Sequence, residues 1–485
     1  MAIAAKSFSS DIQAFIKVFS DDIRDGAAAV FAGAGLSVDS GFVNWADLLR
    51  EIAEELGLDV DREHNLVALA QYHVNERRNR SRINQKLIDE FSAGHSINQN
   101  HEILARLPIE TYWTTNYDCL IETALTAAGK VVDVKSAVRH LKKVQRGRQA
   151  TVYKMHGDVG DPDRAVLTKD DYESYFRDRE PFVTALAGDL VSKTMLFVGF
   201  SFTDPNIDYV MSRIRVVLHS APKQHYCILR RAQRRKREKR ASFQYRQHQQ
   251  NYFVKDLQRI GVHALMVDEY SDIKRILHAI EACYRNKCVF ISGSAAEYAP
   301  WSPDKAGQFL ESLSAALVAK GLIVVTGFGL GVGASIIAGA LSEIMLNPKS
   351  RTPNQLQAHP FPANTGSATV KRSLYTAIRK TMIGKAGIAI FLFGNKRDAK
   401  GRLERADGML EELSLARAEG LHVIAVGATG WIAEHIAASL ASDARARTPA
   451  FRKAFAVAND ANAKPTAIVK AVIAMVIEYG KVLRG

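Results

Sequence analysis

Four short stretches hold the side chains best suited to chemistry, and each closes an apolar run. Gly33-Ala34-Gly35-Leu36-Ser37 ends AAAVFAGAG, and Thr115-Asn116-Tyr117-Asp118 ends ETYWTTNYD. Lys154-Met155-His156-Gly157-Asp158 ends TVYKMHGD, and Gly199-Phe200-Ser201-Phe202-Thr203-Asp204 continues TMLFVGFSF. Together they offer an amide, an imidazole, hydroxyls and carboxylates. His156 stands beside a glycine, where a ligand can reach it, and its neighbouring strand ends are also polar; that makes it a candidate proton acceptor rather than a core histidine. Glycines directly after a strand let the backbone approach a pyrophosphate, and a following helix N-terminus favours negative charge. A bare tight turn would use the same glycines. The spacing is not GxGxxG, because Gly41 falls too late.

For these stretches to meet, the runs before them must be parallel strands with their C-terminal ends on one edge, where open α/β sheets bind ligands. The intervening segments fit that arrangement. WADLLREIAEELG has apolar residues at helical spacing and a glycine stop. VHALMVD and the helix-patterned IKRILHAIEACY close this half near residue 284. The pattern then restarts. KCVFISGS reads as a strand with a Gly/Ser turn, and SPDKAGQFLESLSAALVAKG as a helix with Ser302 as N-cap, Pro303 in the first turn and Gly321 as stop. LIVVTGFGLGVG, AGIAIFLFGNK and LHVIAVGATG read as further strands, and the polar segment NPKSRTPNQLQAHPFPANTGSATVK as a loop. The expectation is an α/β chain of two Rossmann-like domains, 1–284 and 285–485, each a mostly parallel sheet flanked by helices. A length of 485 residues agrees with two cores rather than one.

The second half has its own candidate site. Ser292-Gly293-Ser294 follows one strand, and Gly327-Phe328-Gly329-Leu330-Gly331-Val332-Gly333 follows the next. Paired glycine loops suit a nucleotide phosphate. Arg379, Lys396 and Glu411 complete the set, with cations for phosphate and a carboxylate for ribose hydroxyls. Surface charges and a helix N-terminal acid would look the same.

In this order and spacing, GAGLSVDSG, TTNYD, KMHGD and VGFSFTDPNI resemble the sirtuin domain over about residues 12–284. The resemblance implies NAD as substrate, held by Gly33, Ala34, Gly35, Ser37, Asp118, Gly199, Ser201 and Asp204, with Asn116 and His156 as catalytic residues. Deacylating sirtuins carry a Pro-Asp-Phe-Arg segment where this chain reads FVNW after Gly41, and paired CxxC motifs that it lacks. The departures point toward the sirtuin-like domains that hydrolyse NAD in antiphage defence. ISGS, TGFGLGVG, RKTMI and the acidic segment ERADGMLEE resemble the SLOG family over about residues 286–440. The LOG glycine turn is degraded there, which favours binding over hydrolysis. The two together resemble the effector of the Thoeris antiphage system. That implies a cyclic ADP-ribose isomer as activator, bound by Ser292, Gly293, Ser294, Gly327, Gly329, Arg379, Lys396 and Glu411. It also implies a TIR-domain protein that makes the signal, and a homotetramer that can stack into filaments. NAD-dependent deacylation, ADP-ribosyl transfer and a nucleotide- or nucleic-acid-binding protein are the alternatives.

Composition narrows these choices. Net charge is +14, much of it in Arg230–Arg240, RRAQRRKREKR, which reads as a solvated helix face or loop, or as a polyanion or subunit contact. No helix-turn-helix or aromatic-interleaved basic stripe accompanies it, so nucleic acid is not expected as a partner. Cys119, Cys227, Cys283 and Cys288 form no CxxC pair, so neither a disulfide framework nor a zinc site is expected, and no metal is predicted. No apolar run approaches the ~20 residues of a membrane helix. The N-terminus MAIAAKSFSSDIQAF lacks a signal-peptide core, and a cytoplasmic protein is expected.

Overall fold

The computed structural model describes residues 8–481, apart from 43–44, 64, 93, 203, 205–206, 208–209, 213–222 and 363–366. Thr203, Pro205 and Asn206 of the fourth motif and Val43 and Asn44 of the FVNW segment therefore lie outside the described residues, as do 363–366 of the long polar segment. The chain divides into two compact units, one over Ser9–Glu281 and the other built on Ala282–Gly485.

The first unit is a seven-stranded sheet. Its strands are β1 (Ala28–Ala32), β2 (Thr111–Thr114), β3 (Val132–Lys135), β4 (Ala150–Lys154), β5 (Thr194–Val198), β6 (His225–Arg230) and β7 (Val262–Val267). The order is β3-β4-β2-β1-β5-β6-β7, with every pairing parallel. β1, wholly apolar, and β5, apolar after Thr194, are buried at every position, as central parallel strands covered on both faces are. After β1 the chain builds toward β2 on one side and later returns to β5 on the other. β1 is thus where the strand order reverses, and the crevice beyond its C-terminal end is where such sheets bind ligands.

The second unit has a five-stranded parallel sheet in the order β10-β9-β8-β11-β14. Its strands are β8 (Cys288–Ser294), β9 (Ile323–Thr326), β10 (Leu356–Ala358), β11 (Ile388–Phe393) and β14 (His422–Ala425). A small antiparallel hairpin pairs β12 (Asn395–Arg397) with β13 (Leu403–Arg405). The helix Pro303–Ala319 starts as anticipated: Ser302 Oγ accepts from Lys305 N–H, and Gly321 follows at φ +75°.

Several elements escape the sequence reading. β6 merges into the arginine-rich run, and β3 is a four-residue edge strand whose Asp133 and Lys135 pair with each other at 2.8 Å. The segment expected to be a loop from 347 holds the edge strand β10 and the first turn of the helix Ala368–Lys385. WADLLREIAEELG is two short helices, Trp45–Leu48 and Arg50–Glu55, parted at Leu49. The basic run, expected as a solvated helix face or loop, is mostly a loop between β6, which Arg230 closes, and the helix Arg240–Arg259, which Arg240 opens.

Two histidines are buried uncharged in the first unit. Burial lowers both His101 and His225 to about 4. Among the described residues both ring nitrogens of His101 lack a hydrogen-bond partner, and His225 Nδ1 accepts from Met195 N–H at 3.2 Å. Their folded values lie below the unfolded value near 6.5. The unfolded chain therefore takes up protons first as pH falls. Stability is complete above about pH 6.5 and is lost between there and about pH 4, at ~1.4 kcal/mol per pH unit for each histidine. Urea unfolding at pH 7.5 and pH 5 should show this fall, and His225→Gln should flatten it.

Candidate active site

The glycines of the first and fourth motifs exist for each other. Gly33 N–H donates to Val198 O and Gly35 N–H to Gly199 O, both at 2.9 Å. A Cβ on Gly33 would stand 2.5 Å from Gly199 O, and one on Gly35 2.9 Å from Gly199 Cα. Gly199 itself is at φ +64°, and a side chain there would strike Leu36 N. The β1 and β5 loops thus interlock through backbone at the reversal point, which only glycine permits. The amides of Gly33, Gly35 and Ser37, the last donating to Ala34 O, are all engaged within the protein.

On the other side of β1 a polar relay fixes Asn116. Asp118 Oδ1 caps the helix Leu120–Ala127 through Leu120 N–H, and its Oδ2 accepts from Ser37 Oγ at 2.9 Å. With its proton committed to Asp118, Ser37 Oγ accepts from Asn116 Nδ2 at 3.1 Å. Asn116 Nδ2 also donates to Gly33 O at 3.2 Å, so the amide has one orientation and Oδ1 faces away from the relay. Among the described residues, Asn116 Oδ1 is buried without a hydrogen-bond partner. A buried acceptor left open in this way is ready for a ligand hydroxyl or a water.

His156 lies just beyond the end of β4. Its Nε2 is 3.0 Å from Asp204 Oδ2, close enough for an ion pair although not aligned for a hydrogen bond. Tyr172 hydroxyl donates to the same carboxylate oxygen at 3.3 Å, and its ring meets His156 edge-on at 5.5 Å. The carboxylate can support an imidazolium once the ring takes a proton.

All of this lines one cavity of about 610 Å³ along the C-terminal edge of the sheet, within the usual size for a small-molecule site. Ala34, Gly35, Ser37, Asn116, Asp118, His156, Gly199, Ser201 and Asp204 are on its wall. Gly33 sits behind, where its carbonyl holds Asn116. The cavity also takes in residues that the motifs did not single out, among them Trp45, Tyr172, Tyr270 and Arg230, the last residue of β6. Only Arg230 had a signal, as the start of the basic run.

Beneath the site, Lys154 is fully buried. Its Nζ donates to Asp118 O at 2.6 Å, lies 3.0 Å from Glu122 Oε1 and pairs with Asp158. Cys119 Sγ is 3.7 Å away. Among the described residues, Cys119, Glu122 and Asp158 form the one cluster of metal-ligand type, and the lysine ammonium stands among them.

In the second unit, Arg379 joins three elements. Its Nη1 meets Glu411 Oε2 at 2.7 Å and its Nε meets Glu412 Oε1 at 3.2 Å. Glu412 Oε2 accepts from Ser292 Oγ at 2.6 Å, so it is Glu412 rather than Glu411 that reaches the end of β8. Burial pushes Glu412 up, against the pull of Ser292 and Arg379. The glycine loops interlock here too. A Cβ on Gly293 would be 3.0 Å from Val332 Cγ1, one on Gly329 would strike Gly293 O, and one on Gly327 would stand 2.7 Å from Phe361. Ser294 Oγ donates to Asn395 O at 2.9 Å. Lys396 stands apart on the hairpin, paired with Asp407 at 3.0 Å and Glu404 at 3.3 Å.

Comparison with known proteins agrees with this two-part layout. A SIR2-like domain model matches residues 110–253, and the Sir2- and TIR-associating SLOG family matches 272–479. The chain is 46% identical over 426 residues to the NAD(+) hydrolase ThsA of Bacillus cereus (strain MSX-D12), covering 88% of each protein. It is 43% identical over 457 residues to the NAD(+) hydrolase ThsA of Acinetobacter baumannii (strain 532279), covering 92% of this chain and 95% of that one. The chain belongs to the ThsA family of NAD(+) hydrolases. A more distant relative is the defense-associated sirtuin 2 of Bacillus subtilis, 29% identical over 210 residues, 41% of this chain and 20% of that protein. Within the ThsA family frame, the SIR2-like match spans Asn116, His156 and Asp204, and the SLOG match spans Ser292, Arg379 and both glutamates. No described helix is long and apolar enough to cross a membrane.

Proposed function

We propose that the first unit, within residues 1–284, hydrolyses NAD to nicotinamide and ADP-ribose, and that the second, within 285–485, switches this on by binding a cyclic ADP-ribose isomer. The observation that carries the first half is the open acceptor on Asn116, held by Ser37 and Asp118 in a cavity that also presents His156. Cleaving the nicotinamide–ribose bond develops positive charge on the sugar. Nicotinamide leaves as a neutral molecule and needs little acid assistance. What remains to be supplied is an oriented water and a proton acceptor. Asn116 Oδ1 accepts a hydrogen bond from the water or from a ribose hydroxyl. His156 takes the proton, and Asp204 steadies the resulting cation. Ala34, Gly35, Ser37, Gly199 and Ser201, which line the cavity, flank the pyrophosphate, and Asp118 orients Ser37.

The second half rests on Arg379, a cation held by two carboxylates at the C-terminal edge of the other sheet. An anionic nucleotide competes with Glu411 and Glu412 for that guanidinium, aided by Lys396 and by the loops at 292–294 and 327–333. It activates by binding the active arrangement more tightly than the resting one. In the cell the outcome is NAD depletion and abortive infection, with the signal made by a TIR-domain partner. The protein acts as a cytoplasmic homotetramer able to form filaments, in keeping with the exposed Leu341, Met345 and Leu346 on the helix Gly333–Leu346. NAD consumption is measured with and without a cyclic ADP-ribose isomer for wild type and Arg379→Ala. The nucleotide should accelerate wild type by roughly tenfold or more, a coupling of 1–3 kcal/mol, and leave the variant unresponsive. Equal acceleration of both would remove Arg379 from the sensor.

A further inference from the structure

The cavity does not stop at the adenosine end of a dinucleotide. It runs across the edge of the sheet from His156, after β4, to Arg230, the last residue of β6. Four strand spacings in the order β4-β2-β1-β5-β6 separate them, about 19 Å at ~4.8 Å per step. That is enough for an extended dinucleotide. With nicotinamide at Asn116 and His156 and the pyrophosphate over the glycine loops of β1 and β5, the adenosine falls at β6. Arg230 waits there, its guanidinium 4.6 Å above the Tyr270 ring.

Arg230 and Tyr270 also form the inner wall of a second, open groove of about 490 Å³. Five arginines line it (Arg230, Arg231, Arg234, Arg235 and Arg246), together with glutamines, and no carboxylate does. The nearby acids are committed. Glu238 pairs with Arg246 at 2.7 Å and is held down to about 2 by it, and Asp268 faces Arg231 at 3.5 Å. Among the described residues no carboxylate lies within ion-pair distance of the Arg230 guanidinium, and Arg235 meets only Glu238, whose Oε2 accepts from the Arg235 backbone N–H at 2.9 Å. In nucleotide-binding sheets an acid near the adenosine ribose selects its free 2′-hydroxyl, whereas an arginine there accommodates a 2′-phosphate.

We infer that the first unit accepts dinucleotides carrying a 2′-phosphate on the adenosine ribose, so that NADP is a substrate alongside NAD, with Arg230 and Arg235 as the phosphate contacts. This rests on the reading of the cavity as the NAD site. The purified full-length protein is titrated by calorimetry with ADP-ribose and with ADP-ribose 2′-phosphate. Wild type should bind the phosphorylated compound more tightly, by roughly tenfold for one charge-assisted contact. That preference should shrink as salt is raised, because the groove is open to solvent. In Arg230→Gln the ratio of the two affinities should fall to near one, and in Arg235→Gln it should fall in part. Equal affinities in wild type, or a ratio untouched by Arg230→Gln, would overturn the inference while leaving the NAD site intact. Failure of wild type to bind ADP-ribose at all would overturn the reading of the cavity itself.

Discussion

Asn116→Ala and His156→Ala are each expected to lower kcat for NAD by roughly two to four orders of magnitude, the usual range for a positioning group or a general base. Neither should change the folded structure. Asn116 is anchored by hydrogen bonds to Gly33 O and Ser37 Oγ, and its own backbone N–H donates to Thr114 Oγ1 at 2.9 Å. Removing the side chain deletes the open acceptor but leaves Ser37 bonded to Asp118. Asn116→Asp is the more telling change. It retains an acceptor toward the cavity but cannot donate to the Gly33 carbonyl, and it places a second carboxylate close to Asp118. The double variant Asn116→Ala/His156→Ala should be little worse than either single one, because both groups act on the same water. Steady-state rates of NAD loss, with circular dichroism as a folding control, test all of these. Retained turnover in both single variants would detach the relay from the chemistry.

Lys154→Met is expected to be the most damaging single change to the first unit, at roughly 3–5 kcal/mol of stability, the cost of breaking a buried charge pair. Burial alone would lower the lysine, but Glu122 and Asp158 outweigh it and hold it above its ordinary value. Without the ammonium, Glu122 and the part-exposed Asp158 lose their cation, and Tyr117 O and Asp118 O lose their donor. The same contacts tie the end of β2 to the end of β4. Lys154 is therefore a positioning residue that sets Asn116 against His156. Adding Glu122→Gln to Lys154→Met should recover part of the stability, since a neutral partner removes one uncompensated charge. If urea unfolding of Lys154→Met matched wild type, the buried network would not hold the site as described.

The sequence carried the site's chemistry more legibly than its supports. Glycine, asparagine and histidine announce themselves because each follows an apolar strand, and period and turn residues place the strand ends. Lys154 is visible within KMHGD, four residues before its partner Asp158, but its other partner, Glu122, becomes a neighbour only when β2 and β4 pair. Tyr172 is likewise 32 residues from Asp204, and no local spacing joins them. The glycine loops were read for a phosphate. The fold shows a nearer cause in the crossing of the β1 and β5 backbones. In the second unit Glu411 and its neighbour Glu412, one step of helical rotation apart, both meet Arg379, and Glu412 alone also reaches Ser292 at the end of β8, a contact no local spacing shows. The short edge strands β3 and β10 and the hairpin were missed because three or four residues carry too little periodicity to read.

The most direct measurement is proton NMR of NAD incubated with the purified protein and a cyclic ADP-ribose isomer, in parallel with Asn116→Ala. Nicotinamide and ADP-ribose appearing in equal amounts with wild type, and neither with the variant, is the predicted result. NAD left unchanged by wild type, or nicotinamide released equally by Asn116→Ala, would contradict hydrolysis at this site.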